Sequence, residues 1–187
     1  MSTPIALIAG IVAGTVLTGA VVVWLMRTRM LVARRSRRSF EDTCAAIETV
    51  VLSHRGWGFP IETWNFFRTF EKKNVVPENI RKIKVFFVCN ASHASRVITA
   101  DPSMAGMMPC SWAVYELDDG SVWVSKMNIG MMAGMFSGVI GRTMKEVAEA
   151  DEMFLRPVLG EEELDLERLE AAPEQPEDET RNQKEAS

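Results

Sequence analysis

The chain has 187 residues, with 25 Asp or Glu against 21 Lys or Arg, 12 Met and 3 Cys. That length supplies one modest globular core, and a small, odd cysteine count excludes a disulfide scaffold and points to a reducing compartment. The net charge of −4 is unevenly spread: residues 161–187 carry −8, which leaves +4 on residues 1–160.

Residues 4–26, PIALIAGIVAGTVLTGAVVVWLM, contain no charged side chain. At about 1.5 Å per residue they are long enough to cross a bilayer as a helix. A cleavable signal would carry positive charge before a shorter apolar core; here the basic residues follow the span. Arg27, Arg29, Arg34, Arg35, Arg37 and Arg38 lie just beyond it. The positive-inside rule therefore leaves the N-terminus outside and the main domain in the cytoplasm, as a single-pass protein of a bacterial inner (cytoplasmic) membrane. Directly after a span, these arginines suit anionic lipid headgroups, and nucleic acid is not expected as a partner. Gly10 and Gly14 form a GxxxG that lets a second helix approach closely, although glycine is common in unpartnered membrane helices too.

The expected organisation is an anchor at residues 1–26, a basic juxtamembrane linker at 27–45, a domain at 46–159 and an acidic tail at 160–187. Residues 47–55, IETVVLSHR, are rich in β-branched side chains and stop at Gly56, Gly58 and Pro60, which predicts a strand and turn. Residues 60–74 then predict a helix. Ile61, Trp64, Phe67 and Phe70 recur every third position as core, Glu62 sits at the start, and Lys72 and Lys73 sit at the end.

In residues 80–88, Lys82 and Lys84 alternate with Ile83, Val85 and Phe87, a half-exposed strand that delivers Cys89 and Asn90. Asn90 or Ser92 caps a short helix, SHASRVITA, with Ala94, Val97 and Ile98 inward. The loop DPSMAGMMP ends it. Residues 110–117 and 121–127 flank Asp118, Asp119 and Gly120 as a hairpin, so the sheet is mainly antiparallel.

The uncharged residues 127–141, MNIGMMAGMFSGVIG, are too short to span a bilayer. As a helix they would align Gly130, Gly134 and Gly138 on one face beside Met131 and Met135; as a loop their glycines would explain mobility. An amphipathic helix over residues 142–155 ends at Arg156, because Pro157 disfavours helical geometry before it. Beyond Gly160 the acidic, proline-containing tail reads as disordered after a short helical segment.

Four motifs in order, RGWGF, CNASHASRVI, DPSMAGMMPC and SWAVYELDDGSVWVSKMN, resemble the family catalogued as domain of unknown function 302, over residues 48–158. The resemblance implies an α+β domain: an antiparallel sheet with helices on one side, in a TATA-binding-protein-like arrangement. It implies no activity. One departure is Ala91, where many members place proline after the Cys-Asn pair.

Candidate chemistry gathers at Cys89, Asn90, His93, Pro109 and Cys110. Three readings of the cysteines stand side by side. They are small apolar packing residues; or a redox or ligand-binding thiol pair, with Asn90 and the helix N-terminus lowering a thiolate pKa; or, with His93 and Met107 or Met108, a soft-metal site. Cys-x3-His followed by one distant cysteine is not a diagnostic metal spacing. No Ser-His-acid triad, Walker loop or GxGxxG is present, so the sequence assigns no reaction, and the cofactor is unknown. The expectation is a membrane-anchored accessory or binding module that docks a protein partner, a second copy of itself or a small ligand. The alternative is a thiol-redox or soft-metal protein built on Cys89 and Cys110.

Overall fold

The computed structural model describes residues 3–161. It is an α+β fold: one mainly antiparallel sheet packed against helices, preceded by an apolar N-terminal helix. That helix, α1 (Thr3–Arg29), has Arg27 and Arg29 in its last turn, where cations complement the negative end of the helix dipole. Within it, residues Gly10–Arg29 have a mean hydropathy of 1.7 and no buried residue, a length and composition sufficient to cross a membrane.

The first strand, β1 (Leu31–Arg35), follows at once and pairs antiparallel with β6 (Val122–Met127), Leu31 opposite Met127 and Arg35 opposite Trp123. The segment expected as a linker, residues 27–45, thus begins in the last turn of α1 and then enters the sheet and α2. It supplies an edge strand, and from Phe40 onward the first turn of α2 (Phe40–Ser53).

The strand predicted over residues 47–55 is helical. Ser39 accepts the Asp42 N–H as N-cap, and Glu41 and Asp42 occupy the first turn. Phe40, Thr43, Cys44, Ile47, Val50 and Val51 recur at helical spacing and are buried. Burial of that stripe outweighs the β-propensity of Val50 and Val51, which is a weaker and context-dependent preference.

Two short strands, β2 (Trp57–Gly58) and β3 (Trp64–Asn65), both pair with β4 (Ile80–Asn90). The helix predicted over residues 60–74 is confined to α3 (Phe66–Lys73), capped by Asn65. The residues expected in the core are not buried: before α3, Ile61 is 48% and Trp64 42% exposed, and no residue of α3, Phe67 and Phe70 included, is buried. They stack on one another instead, Trp64 on Phe66 at 4.2 Å and Phe66 on Phe70 at 4.5 Å between ring centres.

From β4 the chain makes α4 (Ala91–Ala100), a 3-10 turn (Pro102–Met107) and the predicted hairpin of β5 (Cys110–Leu117) and β6. The sheet order is β1-β6-β5-β4-β2, with β3 also on β4. Alternation sorts the two faces. Phe86, Val88, Trp112, Val114, Val122 and Val124 enter the core beneath α2 and the last helix, while Val85, Phe87, Tyr115 and Trp123 are half-buried on the other face.

Residues 127–141 form neither one helix nor a simple loop. A single-turn α5 (Ile129–Ala133) is capped by Asn128, and α6 (Gly138–Val158) starts earlier than predicted. The four-residue glycine spacing therefore does not line one face. Gly141 is needed for close packing, since a Cβ there would collide with the Phe136 carbonyl. Pro157 lies inside α6 and does not stop it. At the last turn a proline removes one backbone bond, and burial of Phe154, Leu155, Val158 and Leu159 holds the turn in place. The acidic tail predicted beyond Gly160 lies, after Glu161, outside the described residues.

Candidate functional site

The five singled-out residues, Cys89, Asn90, His93, Pro109 and Cys110, all border one pocket. It lies between the end of the sheet and a roof made by α4, the 3-10 turn, α5 and the first half of α6. Its cavity is about 100 Å³ and its lining is dominated by apolar side chains, among them Val97, Met104, Met132, Met144 and Val147.

The pocket wall is built from Asn90. This side chain is 4% exposed, and its Oδ1 accepts the backbone N–H groups of Ser92 at 3.0 Å and His93 at 3.1 Å, fixing where α4 leaves β4. An asparagine cap of this kind contributes about 1 kcal/mol. Strand β2 is bound opposite it, Trp57 against Asn90 and Gly58 against Cys89. Gly56, at φ +79°, makes room: a Cβ there would lie 3.0 Å from the Asn90 amide nitrogen.

One turn into α4, His93 is 7% exposed and meets the Trp57 ring edge-on at 5.8 Å. Its Nδ1 lies 3.0 Å from an Arg96 guanidinium nitrogen, which also pairs with Glu146 of α6. Arginine only donates, so Nδ1 accepts and the neutral ring carries its proton on Nε2. Burial first, and the Arg96 charge second, hold His93 below its ordinary value of 6.5. The ring is therefore uncharged at neutral pH.

Across the sheet, the Met108–Pro109 peptide is cis and delivers Cys110 to the start of β5, opposite Val88. Alternation sends Val88 and Asn90 inward, while the half-buried Cys89 between them also borders the pocket that Cys110 lines. Both thiols are free. Burial pushes Cys89 above its ordinary value of 9.0 and Cys110 up to about 12, and lifts the core residue Cys44 to about 11. Among the described residues, no three His, Cys, Asp or Glu side chains are placed to hold a metal ion.

The thiol chemistry is directly measurable. With folded-state values raised above 9.0, the thiolate population of the native protein stays low through pH 9. Iodoacetamide labelling of the folded chain should keep rising about tenfold per pH unit above pH 9, whereas the urea-unfolded chain should plateau near the ordinary thiol value. A native plateau below pH 8 would contradict the burial argument. The same shifts favour the unfolded chain as pH rises from 9.0 toward about 12, because unfolded thiols ionise first.

The pocket floor holds residues that the motif search passed over. Lys126, 5% exposed, directs Nζ to the Asp151 carboxylate and to Glu152 Oε1 at 3.2 Å, and lies 5.8 Å from the centre of the Trp112 ring. Burial raises the Asp151 carboxyl above its ordinary value against the pull of Lys126. The Trp112 Nε1–H is buried without a partner at hydrogen-bonding geometry, although its nearness helps hold the Asp151 carboxyl down. Two signals were present in the sequence. Lys126 follows Val122 and Val124 in the inward phase of β6, and Asp151 sits in the stripe Thr143, Val147, Asp151, Leu155 of α6.

Residues 32–159 match the family model for the domain of unknown function DUF302. An uncharacterized protein of Aquifex aeolicus (strain VF5) is 30% identical over 66 residues, which cover 35% of this chain and 46% of that protein, so the chain spans about half the length of this curated relative. A crystal structure of an uncharacterized conserved DUF302 protein from Bacillus stearothermophilus superposes with a TM-score of 0.54 at 19% identity, covering 70% of this chain and 96% of that one. The sequence match and the shared fold together assign the chain to the DUF302 family.

Proposed function

We infer that the protein is a membrane-anchored, non-catalytic binding module whose pocket between the sheet end and α4, α5 and α6 takes a small apolar ligand. The observation that carries this reading is the lining itself. It is a preformed cavity of about 100 Å³, roomy by the measure in which one water needs about 10–15 Å³, and walled by methionine and valine with few polar groups, the usual make-up of a ligand site. Chemistry has little to work with there. His93 is neutral and engaged by Arg96, Lys126 is engaged by Asp151 and Glu152, and the thiols are held protonated.

The anchor is α1, with Arg27 and Arg29 at its foot on the cytoplasmic side. Protease treatment of inside-out membrane vesicles should clip the C-terminal tail and spare α1; protection of the tail would reverse the orientation. For the pocket, the full chain in lipid nanodiscs should be thermally stabilised by 1-octanol in a saturable manner. Ala94→Trp, which fills the cavity from α4, should abolish the shift. No saturable shift, or an equal one in Ala94→Trp, would overturn the reading.

A further inference from the structure

The foot of the apolar helix is fastened to the lip of the pocket. Asn128 donates from Nδ2 to the Arg29 carbonyl at 3.0 Å, and its backbone N–H donates to the Met30 carbonyl at 2.9 Å. Its two chain neighbours, Met127 and Ile129, both line the cavity. The last apolar residue before the arginines, Met26, lies three residues up α1, about 4.5 Å along the helix axis. With α1 in a bilayer, Asn128 and the adjoining lining residues Met127 and Ile129 are tied to the end of the span, near headgroup level.

The lip is apolar as well as close. Met107 and Met127, both lining the cavity, are 37% and 39% exposed. Leu31, the register partner of Met127, is 69% exposed, and Met30 between it and α1 is 43% exposed. Methionine and leucine left in water near a cavity offer apolar surface to a hydrocarbon chain. The charged groups at the cavity are spoken for, Lys126 by two carboxylates and His93 by Arg96, so nothing there selects an anionic head. A cavity of about 100 Å³ takes several methylenes, not a whole lipid.

Resting on the binding-module reading above, we propose that the occupant is the end of a hydrocarbon chain of a bilayer lipid, which enters the pocket from the membrane across the lip formed by Met30, Leu31, Met107 and Met127. The domain thereby holds a lipid chain end out of the bilayer.

The test uses the full chain in nanodiscs made with a phospholipid that carries a diazirine on the terminal carbon of one acyl chain. After illumination, cross-links mapped by mass spectrometry should fall on α1 and on the pocket peptides containing Met104, Met107 or Met144. Ala94→Trp should cut the pocket cross-links at least fivefold and leave those on α1 unchanged. Met30→Glu combined with Leu31→Glu, at exposed positions outside the cavity lining, should also cut them at least fivefold while keeping the octanol shift. Cross-links on α1 alone, with the octanol shift intact, would overturn the membrane source and leave the pocket reading standing. Loss of both signals in the wild-type chain would overturn both, and absence of cross-links on α1 would remove the anchor itself.

Discussion

Lys126→Met should destabilise the domain by about 3–5 kcal/mol at pH 8, the usual cost of stranding one member of a buried ion pair. Both side chains are almost fully enclosed, 4% exposed for Lys126 and 5% for Asp151. Without Nζ, the Asp151 carboxylate is left buried near Trp112 with no cation beside it. The carboxyl can escape part of this by taking a proton, and each unit that its pKa rises in the folded state corresponds to about 1.4 kcal/mol. The penalty is therefore pH-dependent with a definite sign. Burial already lifts the folded-state value above the ordinary 3.8. The stability linked to Asp151 is fully present below that ordinary value and is lost as pH rises through the folded one. Removing Lys126 raises the folded value further, so the loss relative to wild type should be largest at pH 8 and should shrink toward pH 4. Lys126→Met with Asp151→Leu should recover most of the stability at pH 8, since an apolar replacement of a buried pair is often neutral or better. Urea titrations followed by tryptophan fluorescence at both pH values decide the matter. A single variant within 1 kcal/mol of wild type at pH 8 would show that water reaches Asp151.

What the sequence revealed of this fold depended on whether a local rule and the tertiary environment agreed. The hairpin of β5 and β6 was legible because alternation and the Asp118-Asp119-Gly120 turn specify the same geometry. The end of β4 and the start of α4 were legible because Asn90 is both a strand end and a cap. The run through Val50 and Val51 was misleading: β-branched side chains suggested a strand, yet their spacing with Phe40, Thr43, Cys44 and Ile47 forms one buried helical stripe. The aromatics near α3 failed in another way. Periodicity says that residues share a face, not that another element covers it, and here they cover one another.

The site shows the same division. Motif reading gathered the wall, because Cys89, Asn90, His93, Pro109 and Cys110 sit at breaks between elements, where turn chemistry marks them. It missed Lys126 at the floor and its buried partner Asp151, which lie within a strand and a helix and stand out only when a charged residue is noticed in a buried phase. The thiol environment is set by two opposed influences. A helix N-terminus favours a thiolate, but burial of Cys110 opposes ionisation more strongly, and the two influences cannot be ranked until the enclosure is known.

The second large effect belongs to Phe154, which joins the closed core to the pocket wall. Its side chain is 1% exposed, packs against the His54 ring at 4.5 Å, and meets Trp57 edge-on at 5.1 Å. Trp57 in turn is the ring that bounds His93. Phe154→Ala should cost about 3–5 kcal/mol, through lost burial and the cavity left behind, and it removes two ring contacts that each contribute about 0.5–1.5 kcal/mol beyond area. The consequence reaches the site. With Phe154 gone, Trp57 loses its inner support and His93 loses part of its enclosure, so the His93 pKa should move back up toward 6.5, the value from which burial depresses it. In wild type that depression gives stability present above 6.5 and lost as pH falls through the folded value. Phe154→Ala should therefore lower stability at every pH while flattening this acid-side loss. Urea titration at pH 8 and pH 5, with the His93 ring protons followed by NMR against pH, separates the two effects. A loss below 1 kcal/mol, or an unmoved His93 titration, would mean that β2 is held against Asn90 and Cys89 by its strand pairing alone, and that the core and the pocket wall are mechanically independent.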